Sequence, residues 1–480
     1  MRFPTTAEFT GANAPVRIEA DVRGLATISG EVPRQLNGTF YRIQPDPAWP
    51  PRLGTDISLN GDGMLTAFIF ENGHVDFRSR YIKTEKFLAE RESRKALFGA
   101  YRNPFTDDPS VAGLSRGTAN TAILWHGKLL FALKEDSRPV EIDPITLETI
   151  DRRYDYGGTL TSLTLSAHPK IDPLSGELVT YGYAARGETT RDIAWYVIDA
   201  DGHIVRERWI EAPYGCMIHD FGVTAKHLLF PITPLCSDIE RLRAGGPHFA
   251  WDGSLPSYLG IVPRDGTGAP RWIEGPTCHS THTMNAFEED GLIHYDTPTS
   301  EITVFPFFPS TDGTAWDAAK GAPLLKRWTV DPTAPAEGIR HRSLTHISGD
   351  FPRIDDRFAM RCHRIGWIVG TDPDNGPRAG RRPPDAIAQH DFDSGACTLY
   401  RTGSDSAAQE PVFIPRHATA GEGDGWLILV VHRLAELRSD LVILDTADIA
   451  SGPVAEIALP FRLRRGLHGT WVSGDLLASR

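Results

Sequence analysis

The chain has 480 residues, of which 40% are hydrophobic and 23% charged, with 45 Gly, 36 Pro and a formal charge of -12. That balance describes a globular chain with a large core and many turns, and it argues against a nucleic-acid binder, whose phosphate contacts need a basic face. Five cysteines (Cys216, Cys236, Cys278, Cys362 and Cys397) without CxxC spacing indicate neither a disulfide framework nor a cysteine zinc site, so a reducing compartment is expected.

The first residues, MRFPTTAEFTGANAPVRIEA, lack the apolar stretch of a secretory signal, and no uncharged apolar run approaches the length that spans a bilayer. A cytoplasmic protein is expected, with contact to a membrane surface through an apolar loop left open. Residues 64–82 carry two alternating segments around Glu71-Asn72-Gly73, a hairpin signal. TEKFLAERESRKALFG (84–99) predicts a helix with Thr84 as N-cap and Gly99 as stop, followed by a loop over 101–113. Short apolar runs return at 129–133, 139–142 and 147–150, and strand–turn–strand patterns recur at 194–210, 257–273 and 439–460. TDPDNGPRAGRRPPD (371–385) predicts a surface loop.

Hairpin repetition over the whole length predicts an all-β fold, a seven-bladed β-propeller of four-stranded blades, with a pair of β-sandwiches as the alternative. No linker is evident, so residues 1–480 are expected to form a single domain. Asp220-Phe221-Gly222 imitates a kinase metal motif without the rest of a kinase, and neither HExxH nor GxSxG is present. SLNGDGMLT (58–66) lacks calcium-loop spacing and predicts a tight turn between strands.

Among 17 histidines, four stand at strand ends or tight turns: His168 in LSAHPKIDP, His219 in YGCMIHDFGVT, His282 in HSTHTMNAFEE and His468 in RGLHGTWVS. A propeller brings one strand of every blade to a common axis, so histidines from separate blades can converge without a local motif. Four neutral imidazoles would leave the full charge on a divalent ion. They would saturate tetrahedral zinc but leave an octahedral ion two open positions, which favours Fe(II).

The segments AHPK, HDFGVT, HxxNAFEE and LHGTWV, in this order and together with NGDGM (60–64), LKEDSRPVEIDPITLET (133–149) and EPVFIPR (410–416), resemble the motifs of the carotenoid cleavage oxygenase family. The resemblance implies a seven-bladed propeller with one axial Fe(II) on His168, His219, His282 and His468, beneath a cap of loops and helices enclosing an apolar tunnel. It implies that Glu135 and Glu410 hydrogen-bond ligand rings, fixing their tautomers. Asp350 stands where many relatives carry Glu. Being a methylene shorter, it is expected to reach its imidazole only with backbone adjustment or through water.

YRNPFTDDPSV (101–111) and the lysine of FALKEDSRP resemble the bacterial lignostilbene dioxygenase and isoeugenol-cleaving branch, in which a Tyr and a Lys bind the substrate's 4-hydroxyl; here these are Tyr101 and Lys134. Leu59 lies where some stilbene-cleaving relatives carry Phe, and the aromatic residues of ITVFPFFP (302–309) are candidates to compensate. The implied activity is a dioxygenase using O2 to cleave the central alkene of 4-hydroxystilbenes to two aromatic aldehydes. Isoeugenol-like phenylpropenoid cleavage to vanillin, apocarotenoid cleavage and a propeller interaction module without chemistry are the alternatives. The expected partners are therefore a small phenolic alkene and O2, with no nucleic acid and a homodimer left open. His279 and His282 are three apart and should face opposite sides of an extended strand, so only His282 is expected at the axis.

Overall fold

The computed structural model describes residues 2–375 and 383–480. Where the sequence alternates, the chain pairs. Gly63–Glu71 and His74–Tyr81 form the expected hairpin, with Asn72 and Gly73 at positive φ (51° and 79°), the geometry whose twist matches two antiparallel strands. The patterns at 194–210, 257–273 and 439–460 are likewise antiparallel strand pairs.

Among the described residues these strands build seven blades. Blade 1 holds Ala20–Val22, Gly38–Pro45, Gly63–Glu71 and His74–Tyr81, and the C-terminal Gly469–Ser473 pairs with its Gly38–Pro45 strand. Blades 2, 3 and 4 begin at Ala122–His126, Lys170–Ile171 and Gly222–Val223. Blades 5 and 6 share the long strand Arg340–Ile354, whose first part pairs with Leu324–Val330 and whose end pairs with Ile365–Gly370. Blade 7 contains Gly425–Arg433, Arg438–Asp445 and Pro453–Ala458, and takes Ala26–Gly30 from the N-terminal region as an added strand. The ring is closed twice, by the C-terminal strand in blade 1 and by the N-terminal strand in blade 7.

Period-2 patterning explains the packing. In blade 7, Leu427 and Leu429 point into the cluster shared with blade 6, while Ile428 and Val430 between them point into the cluster shared with blade 1. Blade 4 does the same: Leu228 and Phe230 face blade 3, and Leu229 faces blade 5. Strands with both faces buried read as continuous apolar runs, and GWLILVVHR is one.

The predicted helix is shorter than expected. It spans Glu85–Ser93, with the Thr84 hydroxyl accepting from Phe87 N, and it ends at Arg94, which takes a left-handed conformation (φ 53°). Glu90 provides the reason: its carboxylate accepts from the amides of Leu97 and Phe98, at 2.9 and 3.1 Å, and folds the chain back after the last turn. Gly99 is not the stop; a Cβ there would lie 2.1 Å from Thr106 Oγ1, so it serves a close approach. The SLNGDGMLT segment is a 3-10 turn at Ser58–Asn60 leading into Gly63–Glu71, where Asp62 accepts from Ala48 N. Of the loop expected at 371–385, residues 376–382 lie outside the described residues.

Long connections gather over one end of the ring. Leu59, Tyr101, Phe249 and Trp251, with Phe305, Phe307 and Phe308, join the apolar cluster between blades 3 and 4. Asn103 donates to the carbonyls of Leu242 and Gly246, and Trp251 N donates to Pro309 O, tying the connections together. Among the described residues no helix is long and apolar enough to cross a membrane.

Candidate metal centre

His168, His219 and His468 stand just before the strands Lys170–Ile171, Gly222–Val223 and Gly469–Ser473, and His282 sits in the break between His279–Ser280 and Asn285–Glu289. Their ring nitrogens all lie within 4.8 Å of one another. His168 Nε2 is 3.1 Å from His219 Nε2, which is 3.3 Å from His282 Nε2.

The other nitrogen of three of these rings meets a carboxylate. His219 Nδ1 lies 2.5 Å from Glu135 Oε2, His282 Nδ1 2.7 Å from Asp350 Oδ1, and His468 Nδ1 2.8 Å from Glu410 Oε1. With Nδ1–H donated outward, each Nε2 turns a lone pair toward the shared point. Burial alone would raise the three carboxylates, but the facing imidazoles, with Arg353 beside Glu410 and Arg102 beside Glu135, bring each down to about 2. Burial and the neighbouring imidazoles hold His168 well below the ordinary histidine value. Four ring nitrogens converging on one point offer a set of lone pairs that a cation would draw together, so this cluster fits a metal ion by its donor chemistry.

Asp350 reaches His282 directly, and the backbone accommodates it. The ladder between Arg340–Ile354 and Ile365–Gly370 shifts register between Asp350 and Arg353, and Phe351 takes φ 54° with its amide donating to Asp350 Oδ1 at 2.8 Å. This bulge re-aims the shorter side chain, and the Phe351 ring then stacks on His282 at 4.9 Å.

Among the described residues His168 has no carboxylate at hydrogen-bond distance; Asp220 Oδ2 stands 3.9 Å from its Nδ1. Asp220 instead pairs with Lys170 Nζ at 2.7 Å and accepts from Thr283 N at 2.7 Å, fastening the residue after His282 to the residue after His219. Although Asp220 imitates part of a kinase metal motif, its place next to His219 in the sequence is the signal that marks it.

His279 is buried away from the four nitrogens, with its ring 6.1 Å from Trp251 and 5.8 Å from Phe305. Burial pushes it down to about 3, and its Nδ1 has no hydrogen-bond partner among the described residues. Glu288, six residues after His282, accepts from Thr224 and pairs with His227.

A cavity of about 430 Å³ reaches His168, His282 and His468, with Lys170, Asp220 and Arg353 among its walls. Tyr101, Lys134 and Leu59 do not line it; they belong to the apolar end of the ring. There Arg102 takes φ 52°, which lets Tyr101 and Arg102 both turn inward. Lys134 Nζ stands 4.8 Å from the Tyr101 ring centroid and 2.5 Å from Asp136 Oδ2. The next side chain, Glu135, points the other way, to His219, and its second oxygen accepts from Tyr183 at 2.7 Å and from Arg102 at 3.2 Å. Arg102, Tyr183 and Asp136 complete this corner; nothing in their local sequence marks them.

Residues 13–473 match the family described as Retinal pigment epithelial membrane protein. The chain is 47% identical to isoeugenol monooxygenase of Pseudomonas nitroreducens, covering 97% of this chain and 98% of that one. It is 44% identical to lignostilbene-alpha,beta-dioxygenase isozyme III of Sphingomonas paucimobilis, over 99% of both. The crystal structure of Pseudomonas brassicacearum lignostilbene dioxygenase superposes with a TM-score of 0.95 at 41% identity, covering 99% of this chain and 100% of that one. With its propeller, its axial histidine cluster and these matches over nearly the whole length, the chain belongs to the carotenoid cleavage oxygenase family and is an oxygenase.

Proposed function

We propose that residues 1–480 act as one propeller unit, a non-haem Fe(II) dioxygenase that cleaves the central alkene of 4-hydroxystilbenes with O2 to give two aromatic aldehydes. The observation that carries this reading is the pairing, through consecutive residues, of two chemistries: Lys134 faces a buried tyrosine at the apolar end, and Glu135 orients His219 at the axis. His168, His219, His282 and His468 would hold the iron, which when bound supplies the dioxygen chemistry that closed-shell side chains cannot.

The chain's own residues do the rest. Glu135, Asp350 and Glu410 fix which nitrogen of each ring faces inward. Tyr101 and Lys134 would receive the substrate's 4-hydroxyl, and an ammonium beside it favours the phenolate, whose para oxygen enriches the conjugated alkene. The Phe305, Phe307, Phe308 and Trp251 rings keep this end dry, which strengthens the Lys134–phenolate attraction.

One observation favours a second reading, cleavage of isoeugenol-like phenylpropenoids to vanillin: Leu59 is only partly buried against the apolar cluster and presents no ring to a second aryl group. The test is a panel of 4-hydroxystilbene, its 4-methoxy analogue, isoeugenol and an apocarotenoid, offered to the iron-loaded protein under 18O2. We expect cleavage of the hydroxystilbene with label in both aldehydes, and little turnover of the methoxy analogue. Equal turnover of hydroxy and methoxy compounds would remove the role given to Lys134, and a clear preference for isoeugenol would install the second reading. Failure to take up iron anaerobically would leave only an interaction module.

A further inference from the structure

Lys134 cannot by itself account for an ionised phenol. An ammonium stabilises a phenolate, but being already protonated it has no place for the proton that the phenol gives up. Tyr101 is no better, since burial pushes its hydroxyl well above the ordinary tyrosine value and keeps it a donor. Glu135 is spoken for, with one oxygen on His219 and the other on Tyr183 and Arg102. Glu188, a further carboxylate near this corner, is 39% exposed and lies 3.6 Å from His248 Nδ1, and Asp56 accepts from Asn60 and from the amides of Ile57 and Tyr101.

Asp136 is left. Its Oδ2 holds Lys134 Nζ at 2.5 Å and has Arg102 Nε at 3.8 Å, beyond a hydrogen bond. Its Oδ1 is buried and has no hydrogen-bond partner among the described residues. Arg102 Nε is also buried without one. A buried carboxylate oxygen lacking a donor is costly in a resting protein, and such an atom calls for a role.

We propose that Asp136 is the proton acceptor for the substrate's 4-hydroxyl, acting through Lys134, and so generates the phenolate on which the alkene's reactivity depends. The phenolic O–H bond breaks and its electron pair stays on oxygen. The proton passes to Lys134 Nζ as Nζ releases one of its own to Asp136. The ammonium–carboxylate pair becomes an ammonium beside a carboxylic acid, and the phenolate replaces Asp136 as the counter-anion of Lys134. Charge is conserved within the corner, and no oxidant or reductant is consumed. Burial, with Arg102 nearby, lowers the hold of Lys134 on its proton while Asp136 opposes them, which favours exchange across the pair.

The inference rests on the phenolic-alkene reading, and its test separates the two. Iron-loaded protein is mixed anaerobically with 4-hydroxystilbene and with 3,5-difluoro-4-hydroxystilbene, whose phenol ionises more readily, and the long-wavelength phenolate absorption is read before oxygen is admitted. Wild type should show the phenolate band with both compounds at neutral pH. Asp136→Asn should show it only with the fluorinated one, and should lose about a hundredfold in kcat/KM for the parent compound but little for the acidic phenol. Its pH profile should follow the solution ionisation of whichever phenol is used, while Asp136→Glu restores the band. An equal loss for both phenols, or a parent compound bound as neutral phenol by wild type, would overturn the assignment. If wild type shows the band yet cleaves neither compound, the reading of the reaction fails and the proton assignment stands; if it binds neither, both fail.

Discussion

At the axis, three imidazoles are each turned by a separate carboxylate from another blade, whereas at the Tyr101–Lys134 corner one ion pair holds Lys134 against an aromatic ring. The axis has three independent anchors, each fixing one nitrogen of its ring outward. The corner has a single anchor and, among the described residues, two buried polar atoms left unpaired, Asp136 Oδ1 and Arg102 Nε. A metal site needs fixed lone pairs before the ion arrives, while a site that moves a proton needs a carboxylate held by a donor able to give its proton up. Damage should therefore show as lost metal at the axis and as altered substrate ionisation or selectivity at the corner.

The sharpest break lies within thirteen residues, HSTHTMNAFEEDG. His282→Ala should abolish iron retention, measured by metal analysis after anaerobic loading, while His279→Ala should keep it, because His279 sits among Trp251 and Phe305 rather than on the axis. Next in size is the acid response of the metal-free protein. Glu135, Asp350 and Glu410 are held at about 2 against ordinary values of 4.5, 3.8 and 4.5, so the unfolded chain takes up their protons first. Their stabilisation is complete above about 4.5 and is lost as pH falls through about 2. Denaturant midpoints should drop over that interval, and the drop should shrink in Glu410→Gln.

Removing one outward hydrogen bond is milder than removing a ligand. Glu135→Gln, Asp350→Asn and Glu410→Gln should each weaken metal affinity by about 10- to 100-fold in competition with a chelator. The smallest effect belongs to the apolar end: Leu59→Phe should move the ratio of hydroxystilbene to isoeugenol kcat/KM by about tenfold toward the stilbene, with metal content unchanged. A change in iron content in that variant would mean that the two regions are not separable.

The blades were legible because their longer strands obey one rule: alternate side chains enter alternate interblade clusters, as Leu427, Ile428 and Leu429 do. The helix was readable at its start, where Thr84 caps it, but not at its end. Gly99 looked like a stop, yet the helix closes at Arg94 because Glu90 draws the next amides back. The strand argument for His279 and His282 separated the two residues, although His282 lies in a break between strands rather than on one. The role of Asp136 within LKEDSRP is not legible, because three consecutive charged residues do not announce which turns to an axial histidine and which two pair with each other. Asp350 was readable as a shorter side chain that reaches its imidazole by backbone adjustment or through water, but which of the two was not, since the bulge and the positive φ at Phe351 leave no local mark.

By itself the sequence determined the strand periodicity, the turns with glycine and asparagine, and the family motifs that single out four of 17 histidines. Those are properties of short segments, governed by local backbone preference and side-chain alternation. Only the tertiary structure decided which carboxylate meets which imidazole, for the partners lie 84, 68 and 58 residues apart. Ring closure by Gly469–Ser473 and Ala26–Gly30 sets the distances across the axis, and with them the place where the lone pairs meet.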